Sequence, residues 1–174
     1  MDPFATLGIA RRYDVDLAAL EKTHRELSRA LHPDKYVGAG ASERRESLSK
    51  AVEVNESWRV VRDPVRRAEA LFALAGIAVG ERSEPAPAQE LLMEMMDQRE
   101  ALSEAKARKD LPAVHAMARA IEARAEEAER ALGAGFANGS DGESLAPLVA
   151  RLGELRYYRR FLEEVSAIED ALDG

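Results

Sequence analysis

His32-Pro33-Asp34 separates two strong helical patterns, and so constrains how the first part of this chain can fold. Pro33 has no backbone N–H to donate, and it biases His32 away from helical geometry. The helix that begins near Leu17 must therefore stop at about Leu31, which leaves His32 and Asp34 in a tight, polar, exposed loop. An imidazole and a carboxylate held two residues apart by a rigid ring form a presented motif rather than a core.

The flanking patterns agree. Leu17, Leu20, His24, Leu27 and Leu31 recur at three- and four-residue steps, one face of an amphipathic helix, with Asp16 as its N-cap. Lys22, Arg25 and Arg29 fall on a different face and form a basic ridge leading to the loop. After Gly38 and Gly40 a second helix is expected from about Ser42 to Arg62, with Leu48, Ala51, Val52, Asn55, Trp58 and Val61 inward and Asp63-Pro64 ending it. A short helix from about Val65 to Ala75 carries Ala68, Leu71, Phe72 and Leu74. His24, on the apolar face, reads as a packed core histidine, and Asn55 with Trp58 as a pair fixing the helices against each other.

These residues resemble a J-domain, the module that stimulates ATP hydrolysis by chaperones of the DnaK class. The resemblance is closer to one branch, the HscB co-chaperones of iron–sulfur cluster assembly. Phe4, Leu7-Gly8-Ile9, Tyr13, Asp16, Leu20, His32-Pro33-Asp34-Lys35-Tyr36, Val54-Asn55 and Arg67-Ala68-Glu69 carry it, with Leu92-Met93-Glu94 and Arg99-Glu100 further on. It implies that His32, Pro33, Asp34, Lys22, Arg25, Arg29 and Lys35 contact an HscA-like chaperone. The sequence departs from the generic pattern at His24, where a tyrosine is usual, and at Glu21 and Glu26, where bases are usual. That sparser ridge argues for a dedicated chaperone partner.

A turn-rich connector with Gly76, Gly80, Ser83, Pro85 and Pro87 marks a boundary, giving a J-domain at 1–75, a linker at 76–87 and a second part at 88–174. Hydrophobic residues reach 46% but aromatics only 5%, which favours close-packed helices over sheets. Three helical patterns follow the linker: about Ala88 to Lys109, Asp110 to Leu132, and Ser144 to Leu172 with Pro147 in its first turn. A Gly/Asn/Ser loop is expected at 133–142. The second pattern has an apolar stripe at Leu111, Val114, Met117, Ile121, Ala125, Ala128 and Leu132. The third has one at Leu148, Leu152, Leu155, Tyr158, Leu162, Val165 and Leu172. The fold expected is all-α: a J-domain built on an antiparallel helix pair with short flanking helices, then an antiparallel three-helix bundle.

The first bundle helix has more apolar surface than a bundle needs. Leu91, Met95, Leu102 and Ala105 share the core stripe. Leu92 and Met96 sit about 100–140° from Leu91 and Met93 farther, with Asp97 and Glu100 on that outer side. Large apolar residues off the core stripe suit a protein-binding surface, and methionine suits one especially. A wider bundle, or packing of the J-domain there, would also account for them. The resemblance implies binding of an IscU-like iron–sulfur scaffold by this segment, through Leu92, Met93, Met96, Asp97 and Glu100. Arg156 and Tyr157 match family positions near that contact.

Charge divides the chain. Residues 1–87 hold 14 basic and 14 acidic side chains, and residues 88–174 hold 11 and 18, so the whole net charge of −7 lies in the second part. An acidic half argues against nucleic-acid binding. It serves solubility or attracts a basic partner surface. There is no cysteine, which removes disulfides, thiolate nucleophiles and any Cys-ligated zinc or cluster. His32 and Asp34 lack a nucleophile or oxyanion site beside them, and the three histidines have no paired helical spacing, so neither catalysis nor a metal site or cofactor is expected. No signal peptide and no apolar run of transmembrane length is visible. The expectation is a soluble, cytoplasmic, bacterial co-chaperone, monomeric and not itself an enzyme. A J-protein with a different client, and a helical adaptor that stimulates no ATPase, are the alternatives.

Overall fold

The computed structural model describes residues 1–80, 87–139 and 142–173. Residues 81–86 of the expected linker, and 140–141 of the expected loop, lie outside them. Among the described residues every regular element is helical. The chain divides into two compact units, Met1–Ile77 and Ala78–Gly174.

The first unit holds α1 (Pro3–Thr6), α2 (Leu17–Ala30), a 3-10 turn (Pro33–Tyr36), α3 (Ala41–Arg62) and α4 (Pro64–Leu74). The starts of α1, α2 and α4 are written in the sequence as aspartate caps. Asp2 accepts from the Phe4 and Ala5 N–H groups, with Pro3 at the first helical position. Asp16 accepts from Ala18 and Ala19, and Asp63 from Arg66, so Asp63 both ends α3 and caps α4. The end of α4 needs a left-handed residue. Gly76 supplies φ 77°, letting Ile77 N–H reach the Phe72 carbonyl at 2.9 Å and Gly76 N–H the Ala73 carbonyl at 3.1 Å.

α2 and α3 pair antiparallel, with His24 facing Asn55 at one level and Leu31 facing Ser47 at another. The buried face of α3 is not the expected one. Ser47, Val54, Ser57 and Val61 point inward, Ala51 and Trp58 are half-buried, and Leu48, Val52 and Asn55 are exposed. The inward direction lies about 150° around the helix from the Leu48/Val52 stripe. Serine at two core positions hid it, because a hydroxyl reads as polar. Ser47 settles its own cost by donating to the Leu31 carbonyl at 3.1 Å. Leu17, the first residue of α2, and Leu74, the last of α4, are likewise exposed rather than inward. His24 is not a core histidine. It is half-buried, stacked on Trp58 at 4.5 Å between centroids and hydrogen-bonded to Asn55 Oδ1 at 2.9 Å, so it is the polar link between α2 and α3. Arg67 is buried, donating to the Val61 carbonyl at 2.9 Å and lying over the Tyr13 ring.

The second unit holds α5 (Gln89–Arg108), α6 (Leu111–Asn138), α7 (Gly142–Leu145) and α8 (Leu148–Asp173). The two long helices, α6 and α8, run antiparallel: His115 meets Glu169 near one end and Gly135 meets Leu148 near the other. α5 packs against both. Its left-handed end is carried by Lys109 (φ 55°), and Asp110 caps α6 through the Ala113 N–H.

Two expectations fail here. The chain from Gly133 to Asn138 is helix, not loop. Those glycines serve packing: Gly133 is buried, and a Cβ on Gly135 would overlap the Leu148 side chain. The third pattern is also two helices, α7 and α8, separated by Ala146 and Pro147. The core face of α8 takes in Val149, Phe161 and Ile168 besides Leu152, Leu155, Tyr158 and Val165, while Leu148, Leu162 and Leu172 are only half-buried.

Candidate functional site

Two surfaces carry candidate function, one on each unit. On the first, His32, Pro33, Asp34 and Lys35 are all exposed at the turn between α2 and α3. His32 caps that turn, its Nδ1 accepting from the Asp34 N–H at 3.3 Å. The same Nδ1 lies 3.4 Å from Asp34 Oδ2. A neutral imidazole can use the first contact and a protonated one the second, so either form keeps His32 and Asp34 locally associated. The Lys35 N–H closes the turn on the His32 carbonyl at 3.0 Å. The platform below is fixed by the Ser47 hydroxyl on Leu31, and Tyr36 reaches the Ala30 carbonyl at 3.4 Å. Lys22, Arg25 and Arg29 are exposed on α2, and Arg25 forms an i, i+4 ion pair with Glu21 at 3.9 Å. That glutamate, one of the two acidic departures from the generic J-domain pattern, therefore partly neutralises the ridge.

On the second unit, α5 buries only Met95, Leu102 and Ala105 deeply. Leu92 is 36% exposed, Met93 59% and Met96 70%, against 2% for Met95. At about 100° per residue Met93 points directly away from the buried stripe, and Asp97, Glu100 and Glu104 lie within about 40° of it. All three acids are exposed. The structure thus brings Leu92, Met93, Met96, Asp97 and Glu100 to the outer side of one helix: an apolar patch with an acidic flank.

What holds that helix in place was not legible in the sequence. Glu94 on α5 pairs with Arg124 on α6, and Arg124 also hydrogen-bonds Tyr158 on α8. Arg99 on α5 pairs with Glu164 on α8 at 2.8 Å. The hydrogen bond that Arg124 donates to the Glu94 carboxylate raises the Arg124 pKa above its ordinary value. Burial, helped by the nearby Glu154 charge, raises the Tyr158 phenol, and Arg124 partly opposes this. The two ties make α5 and α8 run parallel and bring residues 156–157 to the level of Leu92 and Met93. Arg156 and Tyr157 are half-buried there. No sequence period signals such cross-helix pairs, because each partner reads as an ordinary surface charge. Among the described residues no cluster of three or more His, Cys, Asp or Glu could hold a metal ion. No helix among them is long and apolar enough to cross a membrane.

Comparison with known proteins decides the family. Residues 87–166 match the family model described as the HSCB C-terminal oligomerisation domain. A co-chaperone protein HscB homolog from Cupriavidus taiwanensis is 35% identical over 151 residues, 87% of this chain and 85% of that protein. The chain belongs to the HscB co-chaperone family. Another HscB homolog, from Shewanella oneidensis, is 30% identical over 173 residues, 99% of both chains. Among solved structures, chaperone HscB from Vibrio cholerae superposes with a TM-score of 0.85 at 27% identity over 99% of both chains. Human co-chaperone HscB shares the fold, with a TM-score of 0.86 at 23% identity over 97% of this chain and 82% of that one. An HscB architecture, a J-domain followed by a C-terminal helical domain, is therefore the fold of this chain.

Proposed function

We propose that this HscB-family chain delivers an IscU-like iron–sulfur scaffold protein to an HscA-like chaperone and stimulates its ATP hydrolysis. The supporting observation is the exposed His32-Pro33-Asp34 turn on one unit, together with an exposed apolar patch with an acidic flank on the other. The client docks on α5 through Leu92, Met93 and Met96, with Asp97 and Glu100 supplying charge and Arg156 and Tyr157 extending the contact from α8. The chaperone docks on the J-domain, steered by Lys22, Arg25, Arg29 and Lys35, and such steering weakens as salt rises. His32 and Asp34 then bias the chaperone toward its hydrolytic state.

In this reading the chain performs no covalent chemistry and holds no cofactor. It couples two binding events on one complex, and the coupling is a free energy shared between the sites. Cluster assembly and transfer on the scaffold are its consequence. We take the working form to be a cytoplasmic monomer; the matching family model is described as an oligomerisation domain, so sedimentation at working concentration tests that part directly. The function itself is tested by steady-state ATP hydrolysis of the HscA-like chaperone. Addition of the wild type accelerates it, and Asp34→Asn does not. An active chaperone that ignores the wild type overturns the reading.

A further inference from the structure

We propose that Met93 and Met96 are oxidation sites, at which a hydroperoxide converts the client surface into a form that releases the scaffold. The inference rests on the client-docking reading of α5 given above. The chain has five methionines and no cysteine, so methionine is the only sulfur it offers an oxidant. Solvent reaches those side chains very unequally. Met93 and Met96 are 59% and 70% exposed, whereas Met95, between them in sequence, is 2% exposed, and Met117 on α6 is half-buried. Met1 is also exposed but belongs to the first unit and lies 92 residues from Met93 in sequence.

The chemistry is a two-electron oxygen transfer. A thioether lone pair attacks the protonated peroxide oxygen, the O–O bond breaks, an S–O bond forms, and the proton of the attacked oxygen passes to the other oxygen, which leaves as water or alcohol. Sulfur is oxidised to sulfoxide and the hydroperoxide is reduced. The surroundings favour this oxidant class. Asp97, Glu100 and Glu104 share the face of Met93, so a neutral hydroperoxide approaches where an anionic oxidant is repelled.

The same carboxylates make the product unwelcome in an interface. A sulfoxide oxygen is a hydrogen-bond acceptor, and burying it without a donor is costly. Ionised carboxylates supply no donor. The nearest base on α5, Arg99, is already engaged by Glu164. Oxidation thus turns two flexible apolar side chains into polar ones beside carboxylates that cannot donate to them.

The experiment exposes the full chain to hydrogen peroxide, removes the peroxide, locates oxygen by peptide mass spectrometry and titrates the IscU-like scaffold by calorimetry. Met93 and Met96 gain one oxygen each before Met95 or Met117 does, and scaffold affinity falls at least about tenfold. Methionine sulfoxide reductases A and B together restore it, one enzyme for each sulfoxide epimer. In Met93→Leu/Met96→Leu, whatever its starting affinity, treated and untreated samples bind alike. The proposal is overturned if Met95 oxidises as fast as its neighbours, if oxidised wild type binds the scaffold unchanged, or if peroxide weakens the leucine variant equally. Untreated wild type that binds no scaffold would remove the docking reading itself, a result distinct from intact binding that oxidation leaves untouched.

Discussion

Neighbouring positions on α5, Leu92, Met93 and Met96 on one side and Met95 on the other, predict opposite behaviour within little more than one helix turn. Fully burying a leucine or methionine is worth about 1.5–3 kcal/mol. Leu92, Met93 and Met96 still have 36%, 59% and 70% of their surface to bury. Scaling by those fractions, and allowing for the methyl that alanine retains, Leu92→Ala/Met93→Ala/Met96→Ala should weaken the scaffold by about 1.5–3 kcal/mol, on the order of ten- to a hundredfold. Met93 and Met96 do little to hold the bundle together, so folding stability should stay within about 0.5 kcal/mol at each, while the two-thirds-buried Leu92 should cost about 1 kcal/mol. Met95→Ala empties a core position instead, and should cost about 2–5 kcal/mol of stability. Calorimetric titration of the scaffold and urea unfolding of each variant check both halves. A triple variant that binds at wild-type strength, or one that unfolds as readily as Met95→Ala, would refute the assignment of α5 to docking.

Other expectations follow from local geometry. Gly135→Ala places a Cβ that overlaps the Leu148 side chain, and the overpacking, about 1–3 kcal/mol, should exceed the helix-propensity gain of about 1 kcal/mol, so urea unfolding shifts to lower concentration. Adding Leu148→Ala should reverse the sign of the Gly135→Ala effect. Lys109→Gly relieves a left-handed lysine and should raise stability by up to about 1 kcal/mol in thermal unfolding. The Asp2 carboxyl resists a burial that would raise its pKa, because the Ala5 N–H, Arg11 and the Phe4 N–H hold it below the ordinary 3.8. Its contribution is therefore present above the ordinary carboxylate range and lost as pH falls through the lowered value, so wild type and Asp2→Ala should differ at neutral pH and converge in strong acid. Equal differences at both pH values would count against this.

What was legible in the sequence and what was not divides along physical lines. Pro33, Asp16, Asp63 and Asp110 act on their own backbone, so helix starts and the exposed turn could be read locally. Met93 and Met96 stood out because they broke the period of their own helix. The failures came where a residue's meaning depends on a neighbour far along the chain. Gly133 and Gly135 read as breakers until Leu148 shows what fills the space. Ser47 reads as surface until the Leu31 carbonyl appears beside it, and with Ser57 it misled the orientation of α3. Glu94, Arg124 and Tyr158 form one cluster, yet each alone looks like ordinary composition.

The coupling between the two surfaces is tested most directly by ATP turnover of the HscA-like chaperone with this protein and the IscU-like scaffold, separately and together. The account predicts stimulation by the protein alone, greater-than-additive stimulation with the scaffold, loss of both in Asp34→Asn, and loss of only the synergy in Leu92→Ala/Met93→Ala/Met96→Ala. Synergy that survives the α5 substitutions, or additive stimulation in the wild type, would contradict it.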